Sequence, residues 1–250
     1  MDLHLSGKTV LITGGSKGIG AACARSFAAE GCNLILVART LTPLEQVQSA
    51  IVADHGVTVG VHAADLRDPA DLERVAKLCK DADILVNNAG DIPTGTVETL
   101  NEAKWRHAWE LKLFATINLT REAYTSMKQR GSGVIINVIG MMGERPSYDY
   151  ICGSTANAAL IAFTKAMGSD SGRFGVRVLG VNPPSTRTER IVTMLKSAAK
   201  QRYGDETRTA DLVKEGVFLP AIDPEQVADA VVYMASSRAS QLSGIVVNLG

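Results

Sequence analysis

Val10-Leu11-Ile12-Thr13-Gly14-Gly15-Ser16-Lys17-Gly18-Ile19-Gly20 is the stretch whose reading decides the fold. Its apolar opening, Val10-Leu11-Ile12, has the length of a buried parallel strand. The glycine turn Thr13–Gly20 follows, and an Ala-rich run from Ile19 to Glu30 then reads as a helix that stops at Gly31. Strand, glycine turn and helix in that order cradle a phosphate. The glycines let backbone N–H groups come close, and the helix N-terminus adds partial positive charge. A glycine cluster alone is also how a tight strand-to-helix turn is written; the flanking strand and helix are what point to a nucleotide.

Outward from this turn, apolar strands and helical stretches alternate to the end of the sequence. Strands are expected at Asn33–Val37, Val57–Val61, Ile84–Val86, Val134–Ile139, Val176–Val181 and Ile245–Val247. Between them, Leu44, Val47 and Ile51 recur at helical spacing, and Asp68-Pro69 caps and opens a helix reaching about Lys80. One long helix is expected over about Glu102–Arg130, which holds no Pro or Gly. Further helices are expected over about Gly153–Met167 and from Pro224. The pattern predicts an α/β fold, a doubly wound parallel sheet with helices on both faces, as one domain over 1–250. In such a sheet the ligand lies at the carboxyl ends of the strands. The loops there are Thr13–Gly20, Val37–Thr40, Ala64–Asp65, Asn87–Gly90, Gly140–Asp149 and Asn182–Thr188.

Composition narrows the function. The 250 residues carry a formal net charge of zero, which argues against nucleic acid as the main partner. No apolar run has the length of a membrane span, and Met1-Asp2-Leu3-His4 does not read as the start of a signal peptide. Cys23, Cys32, Cys79 and Cys152 lack a metal spacing and read as thiols in a reducing cytoplasm. His4, His55, His62 and His107 show no ligand spacing either, so no metal site is expected.

Taken together these motifs resemble the short-chain dehydrogenase/reductase family. Thr13–Gly20, with Gly14, Ser16, Lys17, Gly18, Ile19 and Gly20, looks like its cofactor turn. Asn87-Asn88-Ala89-Gly90 looks like its motif after the fourth strand. Asp65 and Leu66 stand where such proteins contact adenine, and Pro183 with Thr188 matches the segment approaching the nicotinamide. The resemblance implies an NAD(P)(H)-binding, Rossmann-like protein, a homodimer or homotetramer, acting on a small molecule. Residues about 184–222 would cover the substrate. The carboxylate that receives the ribose hydroxyls of NAD after the second strand is replaced by Ala38, and Arg39 comes next. A guanidinium binds a 2′-phosphate bidentately and Lys17 adds charge, which favours NADP(H).

The family's proton relay uses an Asn, a Ser, a Tyr and a Lys. Aligned through Gly143, Ala158-Ala159, Thr164, Pro183 and Thr188, this chain has Lys112 at the Asn, Gly140 at the Ser, Gly153 at the Tyr and Asn157 at the Lys. The usual Asn and Lys have thus exchanged positions, and Gly140 with Gly153 opens a space beside Tyr148 and Tyr150. One expectation is that Tyr150 folds its phenol into that space as proton donor, supported by Lys112 and Asn157. A nearby ammonium would then lower the phenol's pKa. The plainer expectation is that both tyrosines pack over a loop while Lys112 faces solvent or a partner. Arg187, Arg190, Lys196 and Lys200 would hold a carboxylate or a CoA phosphate, or simply form a wet helix face. The favoured function is an NADP(H)-dependent oxidoreductase acting on a small carbonyl or alcohol through a rearranged site. The alternatives are a non-catalytic dinucleotide-binding protein and a non-redox lyase or isomerase.

Overall fold

A computed structural model describes residues 1–216 and 221–250; the part of the expected covering segment at 217–220 lies outside the described residues. In chain order the sheet elements are β1 (Thr9–Thr13), β2 (Asn33–Ala38), β3 (Val59–Ala63), β4 (Ile84–Asn87), β5 (Gly133–Val138), β6 (Val176–Asn182) and β7 (Val246–Asn248). Among the described residues these strands form one parallel sheet in the order β3-β2-β1-β4-β5-β6-β7. The strand order reverses at β1, which lies between β2 and β4, so a crevice opens at the carboxyl ends of β1 and β4.

Burial on both faces explains the unbroken apolar strands. Val10 and Ile12 of β1 enter one core with Phe27, Leu34, Leu36 and Val231. Leu11 between them points the other way, into a core with Leu85, Leu119, Met127 and Ile135. Successive strand side chains alternate faces, so a strand covered on both sides must be apolar at every position. The helices on the first face include α1 (Gly18–Ala29), α2 (Leu41–His55) and α9 (Pro224–Ala235). The second face is covered by α3 (Pro69–Leu78) and α5 (Ala115–Arg130) among others. The Asp68 carboxylate caps α3 at Ala70 and Asp71, with Pro69 in its first turn, as the sequence signals. All four cysteines are buried.

One expected element is corrected. The long helix over 102–130 is broken into α4 (Glu102–Trp109), a wide π-turn at Glu110–Phe114, and α5. Neither Pro nor Gly causes the break. A π-turn inserts one residue into the helical ladder and re-aims its side chains, and here it holds Lys112. The remaining helices are α6 (Ile151–Ser171), α7 (Glu189–Tyr203) and α8 (Thr209–Lys214). The helix α6 begins at Ile151, two residues before its expected start, and Gly153 and Asn157, four apart, share one face of its first turns.

Candidate active site

The cofactor-type residues expected from the sequence all lie along the carboxyl edge of the sheet. At the turn after β1, the N–H groups of Gly14 and Gly15 both donate to Val37 O, 2.7 and 3.2 Å away. Gly20 packs so closely that a Cβ there would stand 2.2 Å from Gly14 O. Lys17 precedes α1 in extended conformation without a capping side-chain bond, and the first turn carries no acidic residue. The N–H groups that open α1 therefore keep no side-chain acceptor of their own. Asn88 braces the turn from β4: its Nδ2 donates to Thr13 O at 3.0 Å and Gly14 O at 3.3 Å. Asn88 N and Ala89 N both donate to Thr13 Oγ1 at 3.0 Å. From the far side the methyl of Thr188 faces Gly18, 3.1 Å from where its Cβ would be, and Pro183 O accepts from Met141 N.

The charged residues of this edge are partnered. Lys17 Nζ lies 2.8 Å from Glu189 Oε2 at the start of α7. Arg39 Nη2 lies 3.5 Å from Asp91 Oδ2, just beyond Gly90. Asp65 is gripped by Arg67, whose Nε and Nη2 each donate at 2.8 Å, and that bonding holds its carboxyl below the usual range. The neighbouring Leu66 side chain is in the core. Lys17 and Arg39 therefore each meet a carboxylate of this chain, and no contact joins them to each other among the described residues.

Farther along this edge, three glycines leave space, and three polar side chains stand in it. A Cβ on Gly153 would fall 2.0 Å from Cε1 and 2.2 Å from Cζ of Tyr150, so the phenol ring lies back over the first turn of α6. A Cβ on Gly140 would fall 2.9 Å from Asn157 Nδ2, and Gly140 itself adopts φ +143°, a conformation that a side chain would strain. A Cβ on Gly90 would fall 2.9 Å from Lys112 Cδ. Tyr150, Asn157 and Lys112 are the residues that the sequence singles out. The vacancies alone do not fix which side chain fills them; the three-dimensional path does.

Two expectations about these residues change. Lys112 does not face solvent: it is buried, and its ammonium donates to Val138 O at 2.7 Å and Ile139 O at 3.2 Å, at the end of β5. Burial, and secondarily the charge of Arg190, pushes its pKa down to about 7. Nor is Lys112 the cation at the phenol. Arg190, in the first turn of α7, donates from Nη2 to Tyr150 Oη at 3.1 Å and to Ile92 O at 2.8 Å. The Tyr150 pKa is raised rather than lowered, because burial outweighs the opposing pull of Arg190. Tyr148 turns outward, with its hydroxyl 2.7 Å from both Glu98 oxygens.

Asn157 is buried, and its Oδ1 has no hydrogen-bond partner. An orphaned buried amide oxygen is costly unless a ligand supplies a donor. The sequence offers Arg190, with Arg187, Lys196 and Lys200, as a holder of a carboxylate or CoA phosphate or as part of a wet helix face, and does not foresee its bond to Tyr150. It also misses Asp91, which only the fold brings between Arg39 and Arg190. Among the described residues no group of three or more His, Cys, Asp or Glu is placed to hold a metal, and no helix is long and apolar enough to cross a membrane.

Comparison with known proteins places the chain among related sequences over almost its full length. The family model described as short chain dehydrogenase matches residues 8–199. The chain is 29% identical to D-beta-hydroxybutyrate dehydrogenase of Cupriavidus necator, covering 98% of this chain and 97% of the relative. It is 32% identical to the 3-oxoacyl-[acyl-carrier-protein] reductase FabG of Vibrio cholerae, over 97% and 95% of the two chains. Among solved structures, L-sorbose reductase from Gluconobacter frateurii, complexed with NADPH and L-sorbose, superposes with a TM-score of 0.91 at 30% identity. That match covers 100% of this chain and 97% of the other.

Proposed function

This chain belongs to the short chain dehydrogenase family, and from that premise we propose that it is an NADP(H)-dependent oxidoreductase of a small carbonyl or alcohol, with Tyr150 as proton donor in a rearranged site. The carrying observation is the Tyr150 ring over Gly153, in the space where the family resemblance puts the catalytic tyrosine. The dinucleotide would be held by Gly14, Ser16, Lys17, Gly18, Ile19 and Gly20 at the turn, by Asp65 and Leu66 at the adenine, and by Asn88, Ala89, Gly90, Pro183 and Thr188 toward the nicotinamide. The uncapped start of α1 and the orphaned Asn157 Oδ1 fit such a ligand: the first offers donors to a phosphate, the second an acceptor to a ribose hydroxyl. Ala38 and Arg39 favour the 2′-phosphorylated form, and NADPH in the sorbose reductase complex supports that choice.

When bound, the dinucleotide supplies or accepts the hydride. The chain's part is the proton. Tyr150 Oη accepts a bond from Arg190, which leaves its own O–H free for a carbonyl oxygen. A raised pKa keeps the phenol protonated near neutrality, and the guanidinium then stabilises the phenolate left after transfer. Lys112 holds the end of β5 through two carbonyls, which fixes the backbone leading to Gly140. The described residues of the segment 184–222 would cover this site, and the protein would work in the cytoplasm as a homodimer or homotetramer, which size-exclusion chromatography would read.

Fluorescence titration with NADPH and NADH, then NADPH absorbance with a carbonyl panel, tests the reading. Tyr150→Phe is expected to lower kcat by about a hundredfold or more while leaving the NADPH Kd unchanged. Full turnover in that variant would remove Tyr150 from the mechanism, and absence of dinucleotide binding would overturn the whole assignment.

A further inference from the structure

Arg190 is only half used by its neighbours. Its Nη2 is committed to Ile92 O and Tyr150 Oη. Its Nη1 approaches Asp91 Oδ1 no closer than 3.8 Å, too far for a hydrogen bond, and no other bond of this guanidinium is present among the described residues. Asp91 is itself divided, with its other oxygen turned to Arg39 at 3.5 Å, and it is more than half exposed. Such a loose, solvated pair holds Arg190 weakly. The surroundings are cationic: Arg39 and Arg190 both face Asp91, and Lys112 is close enough for the charge of Arg190 to oppose its protonation. The side chain of Arg190 is 39% exposed, so the guanidinium is reachable from solvent.

We propose that Arg190 anchors the carboxylate of the substrate, and that the substrate is a short oxo acid, or the matching hydroxy acid, whose carbonyl oxygen meets Tyr150. This rests on the reading of Tyr150 as proton donor. Tyr150 Oη stands 3.1 Å from Arg190 Nη2, and the unbonded Nη1, on the same guanidinium carbon, is the donor left for the carboxylate. Donors that close address two oxygens of one compact molecule, as in an acid whose carbonyl lies one or two carbons from its carboxylate. A carboxylate at the end of a long chain would put its oxygens too far apart. A guanidinium edge also matches a carboxylate in shape, and a charge-assisted pair there discriminates against a neutral ester of nearly the same size.

Calorimetric titration of the NADP+-saturated protein, with NAD+ in parallel, reads the anchor directly. The probes are 3-oxobutanoate against its methyl ester, and pyruvate against methyl pyruvate. At least one acid is expected to bind about tenfold or more tightly than its ester. Arg190→Gln removes that preference and Arg190→Lys keeps part of it, with circular dichroism and dinucleotide affinity showing both variants folded. Equal binding of acid and ester by the unaltered protein, no binding of any probe, or a preference that survives Arg190→Gln overturns the proposal. NADPH absorbance on the same samples separates the two claims. Acid preference in binding without NADPH oxidation upholds the anchor and overturns the oxidoreductase reading. Oxidation at equal efficiency for acid and ester overturns the anchor and upholds that reading.

Discussion

At the Thr13–Gly20 turn, backbone lies against backbone; around Gly140 and Gly153, one residue's side chain lies where another's Cβ would stand. The first arrangement puts Gly20 2.2 Å, by its missing Cβ, from the immobile carbonyl of Gly14, with Asn88 clamped across both. The second would put a Cβ on Gly153 2.0 Å from the ring of Tyr150, a side chain that can swing aside. The overlaps are alike in distance and unlike in what must yield. A backbone contact tolerates nothing, so its residue types are dictated locally. A side-chain contact permits exchange, and here the ring of Tyr150 lies where a Cβ at 153 would stand.

Substitution at the two glycines should separate these regimes. Gly20→Ala forces the turn apart and should cost about 3 kcal/mol, a fall in Tm of roughly 6–12 °C for a chain of this size. Dinucleotide affinity should vanish with it; thermal melting and NADPH titration check both. Gly153→Ala should leave Tm within a few degrees, because the Tyr150 ring can move outward. Turnover should nevertheless drop by about a hundredfold, as the donor leaves its place. Equal losses of stability in the two variants would break the contrast between a fixed and an exchangeable wall.

Lys112 sharpens the reaction side by pH. Its pKa falls from 10.5 to about 7 on folding, so between those values the folded chain binds fewer protons than the unfolded one. Stability attributable to this group therefore rises with pH across that window, approaching about 1.4 kcal/mol per pH unit. Lys112→Met removes the titration. The stability difference, unaltered protein minus variant, should climb between pH 7 and 9 in denaturant melts. It should keep a constant offset from the two carbonyls, Val138 O and Ile139 O, left without their donor. A flat difference would show that the ammonium is not buried as described.

The same contrast governs what could be read from the sequence. The doubly wound sheet was legible because strands covered on both faces must be apolar throughout, as Val10, Leu11 and Ile12 are, and because Asp68-Pro69 marks its own helix. The glycine turn after β1 was legible because Gly14, Gly18 and Gly20 answer to local backbone demands. The π-turn at Glu110–Phe114 was not, since its residues are ordinary helix formers and only tertiary contact re-aims them. The company of Tyr150 was equally hidden. Lys112 and Arg190 are both cations within reach of a plausible argument, and the choice depends on which carbonyls the π-turn brings to Lys112. Arg190 lies forty residues beyond Tyr150 on a helix whose other cations do face water, so no spacing rule sets it apart.

The smallest expected effect lies on the cofactor side and concerns charge alone. Arg39 has a partner already, Asp91 at 3.5 Å, and both side chains are more than half exposed. An exposed pair of this kind is weak, so a 2′-phosphate, with more charge and more acceptor oxygens than a carboxylate, should displace Asp91 at little cost. Arg39→Ser should therefore raise the NADPH Kd by about tenfold and leave the NADH Kd within about twofold, because on the proposed reading the backbone cradle would bind the diphosphate common to both. Stability should hardly move. Paired titrations with the two dinucleotides read the ratio directly. A parallel loss of both affinities would mean that Arg39 supports the turn rather than the phosphate, and would return Ala38 and Arg39 to the class of surface residues without a bearing on cofactor choice.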